Sequence, residues 1–207
     1  MLKEGFLTSR NGVRVGVCGE CVFDNGVIKT IKKINSLSIR IPHKIKNCSD
    51  MIYKKMCEKE IMNSLIISPP SFGKTTILKD IIEKYNEKIS KPILIIDERG
   101  EFADVDGENI DRVVYSNKLY AFTCGIRSMS PSIVFTDEIV TSLDWDCVKS
   151  ASNCGVKVVA SCHGASIEDV VSKPFFCKGI FERYFILESK EYPGILKSVY
   201  DKDLKLI

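Results

Sequence analysis

Residues 65–76 read Leu65-Ile66-Ile67-Ser68-Pro69-Pro70-Ser71-Phe72-Gly73-Lys74-Thr75-Thr76, and no other stretch restricts the fold of this chain as strongly. A short apolar run suited to a buried strand leads into a Pro-Pro turn and then Gly-Lys-Thr. Ile77-Leu78-Lys79-Asp80-Ile81-Ile82 follows with the apolar spacing of an amphipathic helix. Strand, tight loop and helix in that order form the setting of a phosphate-binding loop. The loop and helix N-terminus present backbone N–H groups to a phosphate. Lys74 is placed to reach the β- and γ-oxygens, and the Thr75 hydroxyl to ligate magnesium. Ser68, Pro69, Pro70, Ser71, Phe72, Gly73, Lys74, Thr75 and Thr76 are therefore the candidate nucleotide-binding residues, with ATP and Mg2+ as the expected ligands. The general pattern G-x-x-x-x-G-K-[ST] has glycine where Ser68 stands, and many such loops have another glycine where Ser71 stands, so only Gly73 is retained.

The 207 residues suffice for one full domain and a small appendage. A hydrophobic content of 44% and a charged content of 28% are ordinary for a globular protein. The net charge of +3 gives no argument for nucleic acid or an anionic membrane. No apolar run approaches the about 20 residues of a membrane span, and Met1-Leu2-Lys3-Glu4-Gly5 lacks the apolar core of a signal peptide. Nine cysteines with no export signal point to a reducing cytoplasm. Cys18 and Cys21 stand three apart, but no second pair completes a four-ligand zinc site.

Residues 1–46 read as a β-rich block. Gly5–Thr8, Arg14–Val17, Val22–Phe23, Val27–Ile31 and Ser38–Ile41 are short strand candidates, with Asn11-Gly12 and Asp24-Asn25-Gly26 as turns and Pro42 ending the block. Residues 47–62 read as a linker helix on the spacing of Met51, Ile52 and Met56. Residues 63–207 alternate apolar strands (Ile93–Ile96, Ile133–Thr136, Val156–Ala160) with helical stretches. That alternation predicts an α/β fold, a mostly parallel sheet covered on both faces. Arg183–Glu188 and Ile195–Tyr200 flank Tyr192-Pro193-Gly194 and predict a terminal hairpin.

Three further segments carry candidate chemistry. Thr136-Asp137-Glu138 ends an apolar strand, the Walker B arrangement, in which Asp137 serves the magnesium and Glu138 the attacking water. Asp97-Glu98-Arg99-Gly100-Glu101 ends the strand after the loop helix, and ligands of open α/β sheets gather at such strand ends, so Glu98 also qualifies as a base. Arg127 precedes the Asp-Glu strand and is a candidate to neutralise phosphate charge in its own subunit or a neighbour. His163, in Ser161-Cys162-His163-Gly164, ends the third strand and is a candidate sensor of the γ-phosphate.

The order "SPPSFGKTTILKDI", "DERGE", "IRSMSP" with "TDEI", "SCHGASIEDV" and "FERYFIL" resembles the stage III sporulation protein AA family, in the type II/type IV secretion-ATPase branch of P-loop NTPases. "GFLTSRNGVRVGVCGE" and "SLSIRIP" are similar to the end of that family's N-terminal domain. The resemblance runs from residue 5 to about 188. It implies a RecA-like core and an ATPase that assembles as a hexameric ring. Such a ring is expected to be cytoplasmic and peripheral to a membrane, and to power membrane-embedded channel proteins of a secretion-like complex during endospore formation. By motif it assigns Glu98 to an acidic box, Asp137 and Glu138 to Walker B, and His163 to a histidine box. Three departures stand out: the chain begins inside the family's N-terminal domain, 107–118 is short, and Gly100 replaces the serine of the "DERSE" form.

A motor ATPase is thus the leading expectation, with Arg127 and Arg40 as charges offered across a subunit boundary. A nucleic-acid translocase of similar core is disfavoured by the weak charge and by the lack of an aromatic-basic groove pattern. A nucleotide-binding structural protein without turnover is disfavoured by the retained lysine, Asp-Glu pair and histidine.

Overall fold

The computed structural model describes residues 5–9, 13–41, 44–58, 60–114, 117–189 and 192–207. The Asn11-Gly12 turn and Pro42 lie outside them. The chain divides into two compact units, residues 1–43 with 100–104, and residues 44–99 with 105–207.

The first unit is a three-stranded antiparallel sheet of β1 (Phe6–Thr8), β2 (Arg14–Asp24) and β3 (Val27–Arg40). The five short strands expected here are three. Arg14–Val17 and Val22–Phe23 are one strand, as are Val27–Ile31 and Ser38–Arg40, because the backbone ladder continues through the polar stretches that break the apolar pattern. The register slips between Cys18 and Glu20, and Lys33 there has φ 43°. Asn25 (φ 50°) and Gly26 (φ 79°) form the two-residue turn between β2 and β3. Such turns place both central residues in the left-handed region, where Asn and Gly are tolerated best.

The second unit contains α1 (Asp50–Met56), β4 (Ser64–Ser68), α2 (Lys74–Ile89), β5 (Ile93–Asp97), β6 (Ile110–Val114), α3 (Lys118–Met129), β7 (Ile133–Glu138), α4 (Ser142–Asn153), β8 (Lys157–His163), α5 (Ile167–Val171), β9 (Arg183–Glu188) and β10 (Ile195–Asp201). The sheet order is β10-β9-β4-β8-β7-β5-β6, and every pairing is parallel except that of β9 with β10. The terminal hairpin therefore extends the main sheet, since β9 pairs with β4. The helix expected over 47–62 is confined to Asp50–Met56. Asn47 before it has φ 64°, and Cys57 closes its last turn by donating to the Tyr53 carbonyl.

β4 and β5 are buried along their whole length, as their unbroken apolar runs require. On one face Leu65, Ile67, Leu94, Ile96, Val134, Val158 and Ala160 join Phe122, Trp145 and Val148 of α3 and α4 in one core. On the other face Tyr85 of α2 meets the Phe135 ring edge-on at 6.2 Å. Asp80 ties α2 to the turn before α1. Its carboxylate accepts from Asn47 N (2.9 Å), Ser49 N (2.8 Å) and Ser49 Oγ (2.6 Å), and it pairs with Lys84. Burial opposes its charge, but Lys84 and these donors hold its carboxyl below the ordinary range.

Candidate nucleotide site

The carboxyl ends of β4, β5, β7 and β8 meet around residues 68–75. Ser68 ends β4, and the chain then turns through Pro69–Phe72 into α2. Gly73 precedes that helix at φ 84°, ψ 11°. A Cβ there would lie 3.2 Å from Gly194 N and 3.3 Å from Gly194 Cα, so the β9–β10 turn backs the loop and leaves no room for a side chain. Ser71 has φ 66°. Serine thus stands in the left-handed region where many such loops have glycine, which carries a steric penalty of about 1–2 kcal/mol for an L-residue.

The helix start is prepared for an anion. The first turn of α2 has no acidic residue, and its first position receives no side-chain cap. α4 and α5, in contrast, are closed by the capping boxes Thr141–Asp144 and Ser166–Asp169. Orphan N–H groups at the positive end of a helix dipole bind phosphate. The loop and the start of α2 therefore have the features that suit an anionic phosphate, and Thr75 lies in the first turn of that helix.

Lys74 is 8% exposed. Its ammonium donates to Ser68 O (2.8 Å), Pro69 O (2.9 Å) and Ser68 Oγ (3.3 Å), and lies 2.9 Å from His163 Nδ1. Toward an ammonium, which has only hydrogens to offer, Nδ1 can only accept, and Nδ1 also lies 3.4 Å from Ser68 O. Nε2 lies 2.9 Å from Glu138 Oε1 and donates to it. Arg99 approaches Glu138 Oε2 at 3.5 Å. Strand register makes the link: Ser68 pairs with His163, and β8 lies between β4 and β7. A register shift between Thr136 and Glu138 falls at buried Asp137. Lys173 fixes the end of β8 by donating to His163 O (2.6 Å) and approaching Cys162 Sγ (3.0 Å). Burial raises the Cys162 thiol against the opposing pull of Lys173, which leaves it an inert core group.

Lys74, Glu138 and His163 are thus brought together, and Glu98 and Asp137 meet beside them through a residue that sequence reasoning missed. Lys118, 4% exposed, lies 2.7 Å from Glu98 Oε2, 2.5 Å from Glu138 O and 3.6 Å from Asp137 Oδ1. Burial opposes its charge, but Asp137 and Glu98 outweigh burial and raise its pKa. The signal was a lysine directly after Asn117, an N-cap whose side chain accepts from Tyr120 N. A cation in the first turn opposes the helix dipole and needs another reason to be there. Arg127 is not brought to the loop. It lies nine residues further along α3, about 13 Å down the axis at 1.5 Å per residue. There it lines a groove of about 240 Å³ between α3 and α4 with Leu119, Phe122 and Leu143.

Together these features define a RecA-like P-loop NTPase core. The chain spans 57% of the pilus retraction motor PilT, solved with bound ADP, at 16% identity and TM-score 0.63 over 88% of its own length. It spans 56% of the Legionella pneumophila ATPase DotB, at 13% identity and TM-score 0.61 over 95% of its length. These likenesses show the fold. The chain belongs to the family described as sporulation stage III, protein AA, whose model matches residues 1–206. It is 34% identical to the stage III sporulation protein AA of Bacillus subtilis (strain 168), over 98% of this chain and 71% of that protein. No helix among the described residues is long and apolar enough to cross a membrane.

Proposed function

We propose that the chain is a motor ATPase that hydrolyses ATP as a hexameric homo-oligomeric ring. In this reading it works from the cytoplasm, at the periphery of a membrane, on channel proteins of a secretion-like complex during endospore formation. The observation that carries the reading is the path Lys74–His163–Glu138, in which the loop lysine and the β7 carboxylate share one imidazole.

Each residue then has a task. Residues 68–76 enclose the phosphates, and Lys74 places its charge on them. Thr75 and Asp137 would hold Mg2+, which when bound supplies positive charge against the β- and γ-phosphates. Glu138 accepts the proton of the attacking water, and Glu98 supports it from the next strand. His163, bonded to both Lys74 and Glu138, reports a movement of either to the other. Arg127 and Arg40 offer charge to a neighbouring subunit. For Arg127 the support is its distance from its own loop.

The test is Mg·ATP turnover by the purified chain over a wide dilution range. Specific activity rises with protein concentration if arginines act across subunits. Lys74→Ala loses about 10²–10³-fold or more, since it removes one preorganised charge contact to the phosphates. Unchanged turnover in Lys74→Ala overturns the ATPase reading. A flat dilution series overturns only the role of the neighbouring subunit.

A further inference from the structure

Lys118 is unaccounted for by the roles above. It is one of few buried cations in the described chain, it opens a helix where positive charge is disfavoured, and its ammonium lies among the acidic groups of β5 and β7. We propose that Lys118 is a positioning residue of the nucleotide site: one ammonium, bonded to the Glu98 carboxylate and the Glu138 carbonyl and paired by charge with Asp137 at 3.6 Å, fixes the ends of β5 and β7 so that the magnesium-facing and water-facing carboxylates keep their places.

The geometry explains why a lysine is needed. Glu98, Asp137 and Glu138 converge from two neighbouring strands, and like charges so close repel. Each has a different position in the backbone. Glu98 lies just beyond β5, Asp137 lies at the register shift of β7, and Glu138 ends that strand. A single point charge with three donors on a flexible stem bonds one carboxylate and a carbonyl while its charge offsets a second carboxylate. Its stem enters from α3, an element that contributes none of the acids, so the tie holds three elements together. The Glu138 side chain is left to His163 and Arg99, because Lys118 takes only its carbonyl.

Two effects of removing Lys118 oppose each other. Losing a nearby positive charge favours a bound divalent cation, while losing the tie frees Glu98, Asp137 and the end of β7 to move apart. Positioning wins in this assignment, because outer partners of metal-facing groups typically govern affinity by about 10–100-fold. The proposal rests on the nucleotide reading for its functional half, and on the nucleotide-free protein for its structural half.

The experiment compares wild type, Lys118→Met and Lys118→Arg, using a fluorescent ADP analogue with and without a Mg2+ titration. In Lys118→Met, binding without Mg2+ stays within about twofold of wild type, and the half-saturating Mg2+ concentration rises about tenfold or more. Lys118→Arg, which retains the charge, falls between the two. An Mg2+ half-saturation in folded Lys118→Met that is unchanged, or lower than wild type, overturns the proposal. The structural half is read on the nucleotide-free protein by urea unfolding of Lys118→Met, Glu98→Gln and the double variant. Coupled, sub-additive losses support the tie and additive losses overturn it. If Lys118→Met does not fold, Lys118→Gln, which also removes the charge, runs the same cycle with Glu98→Gln and is read the same way. A wild type that binds no nucleotide fails the functional reading, while the unfolding cycle still judges the tie.

Discussion

The two sheets of this protein are built on opposite terms. In the seven-stranded sheet β4 and β5 are five residues each and every residue is buried. In the three-stranded sheet β2 and β3 run to 11 and 14 residues, and β3 is exposed along most of its length. Val27, Ile34, Leu37 and Ile39 of β3 are each more than half exposed. The short strands are held by helices on both faces, and the long ones by their own ladder and a tight turn. The difference bears on where the proposed chemistry sits. Lys74, Glu98, Glu138 and His163 all lie at or just past the ends of buried strands, where a rigid scaffold holds side chains to the tolerance a reaction needs. The ladder of β2 and β3 supplies no comparable packing for the side chains it exposes.

The comparison is sharpened first at the two strand-end glutamates. Glu138→Gln is expected to bind nucleotide while turnover falls about 10²–10⁴-fold, the usual share of a general base. Glu98→Gln is expected to lose less, about 10–100-fold, as a group acting through position. The ground for this order is the path to Lys74, which passes through His163 to Glu138 and not to Glu98. Single-turnover rates of the two variants decide it, and a larger loss in Glu98→Gln reverses the assignment.

The next test sets core against surface. Leu65→Ala removes a fully buried side chain of β4 and is expected to destabilise by about 2–5 kcal/mol through lost burial and a residual cavity. Leu37→Ala in β3, 56% exposed, is expected to stay within about 0.5 kcal/mol. Urea unfolding of both variants measures the contrast. A loss above about 2 kcal/mol for Leu37→Ala would mean that its exposed face is covered in solution.

The same contrast governs what could be read from sequence. The phosphate loop and the Asp-Glu pair were legible because each follows a short apolar run ending in polar residues, and His163 because it follows Val158-Val159-Ala160 at the end of a strand. β6 was not, since Asp111 and Arg112 interrupt it and every residue is half-buried. The long β2 and β3 were read in pieces because ladder bonds do not show in side-chain pattern. Lys118 was missed for a further reason: its partners come from β5 and β7, whose adjacency is a fact of topology. Ser71 was legible as a departure from the glycine pattern, but its positive φ shows that the loop keeps the glycine conformation without the glycine.

The most local expected effect, smaller than that of the core deletion, lies at the β2–β3 turn, where backbone alone is in play. Gly26 has φ 79°, and a Cβ there meets nothing within 4 Å. Gly26→Ala is therefore free of clash, and its penalty is the left-handed conformation itself, about 1 kcal/mol. Gly26→Asn, whose side chain tolerates that region, is expected to lose less. Gly73 is the control: its φ is similarly positive, at 84°, but a Cβ would also press on the Gly194 backbone at 3.2–3.3 Å, so Gly73→Ala is expected to exceed Gly26→Ala. Amide hydrogen exchange resolves the two by place. Gly26→Ala should speed exchange in β2 and β3 and leave β4, β5 and β7 unchanged, because the ladder it weakens is local. Faster exchange in β4 or β5 would show that the turn supports the buried sheet as well, and the contrast between the two sheets would then fail at its simplest point.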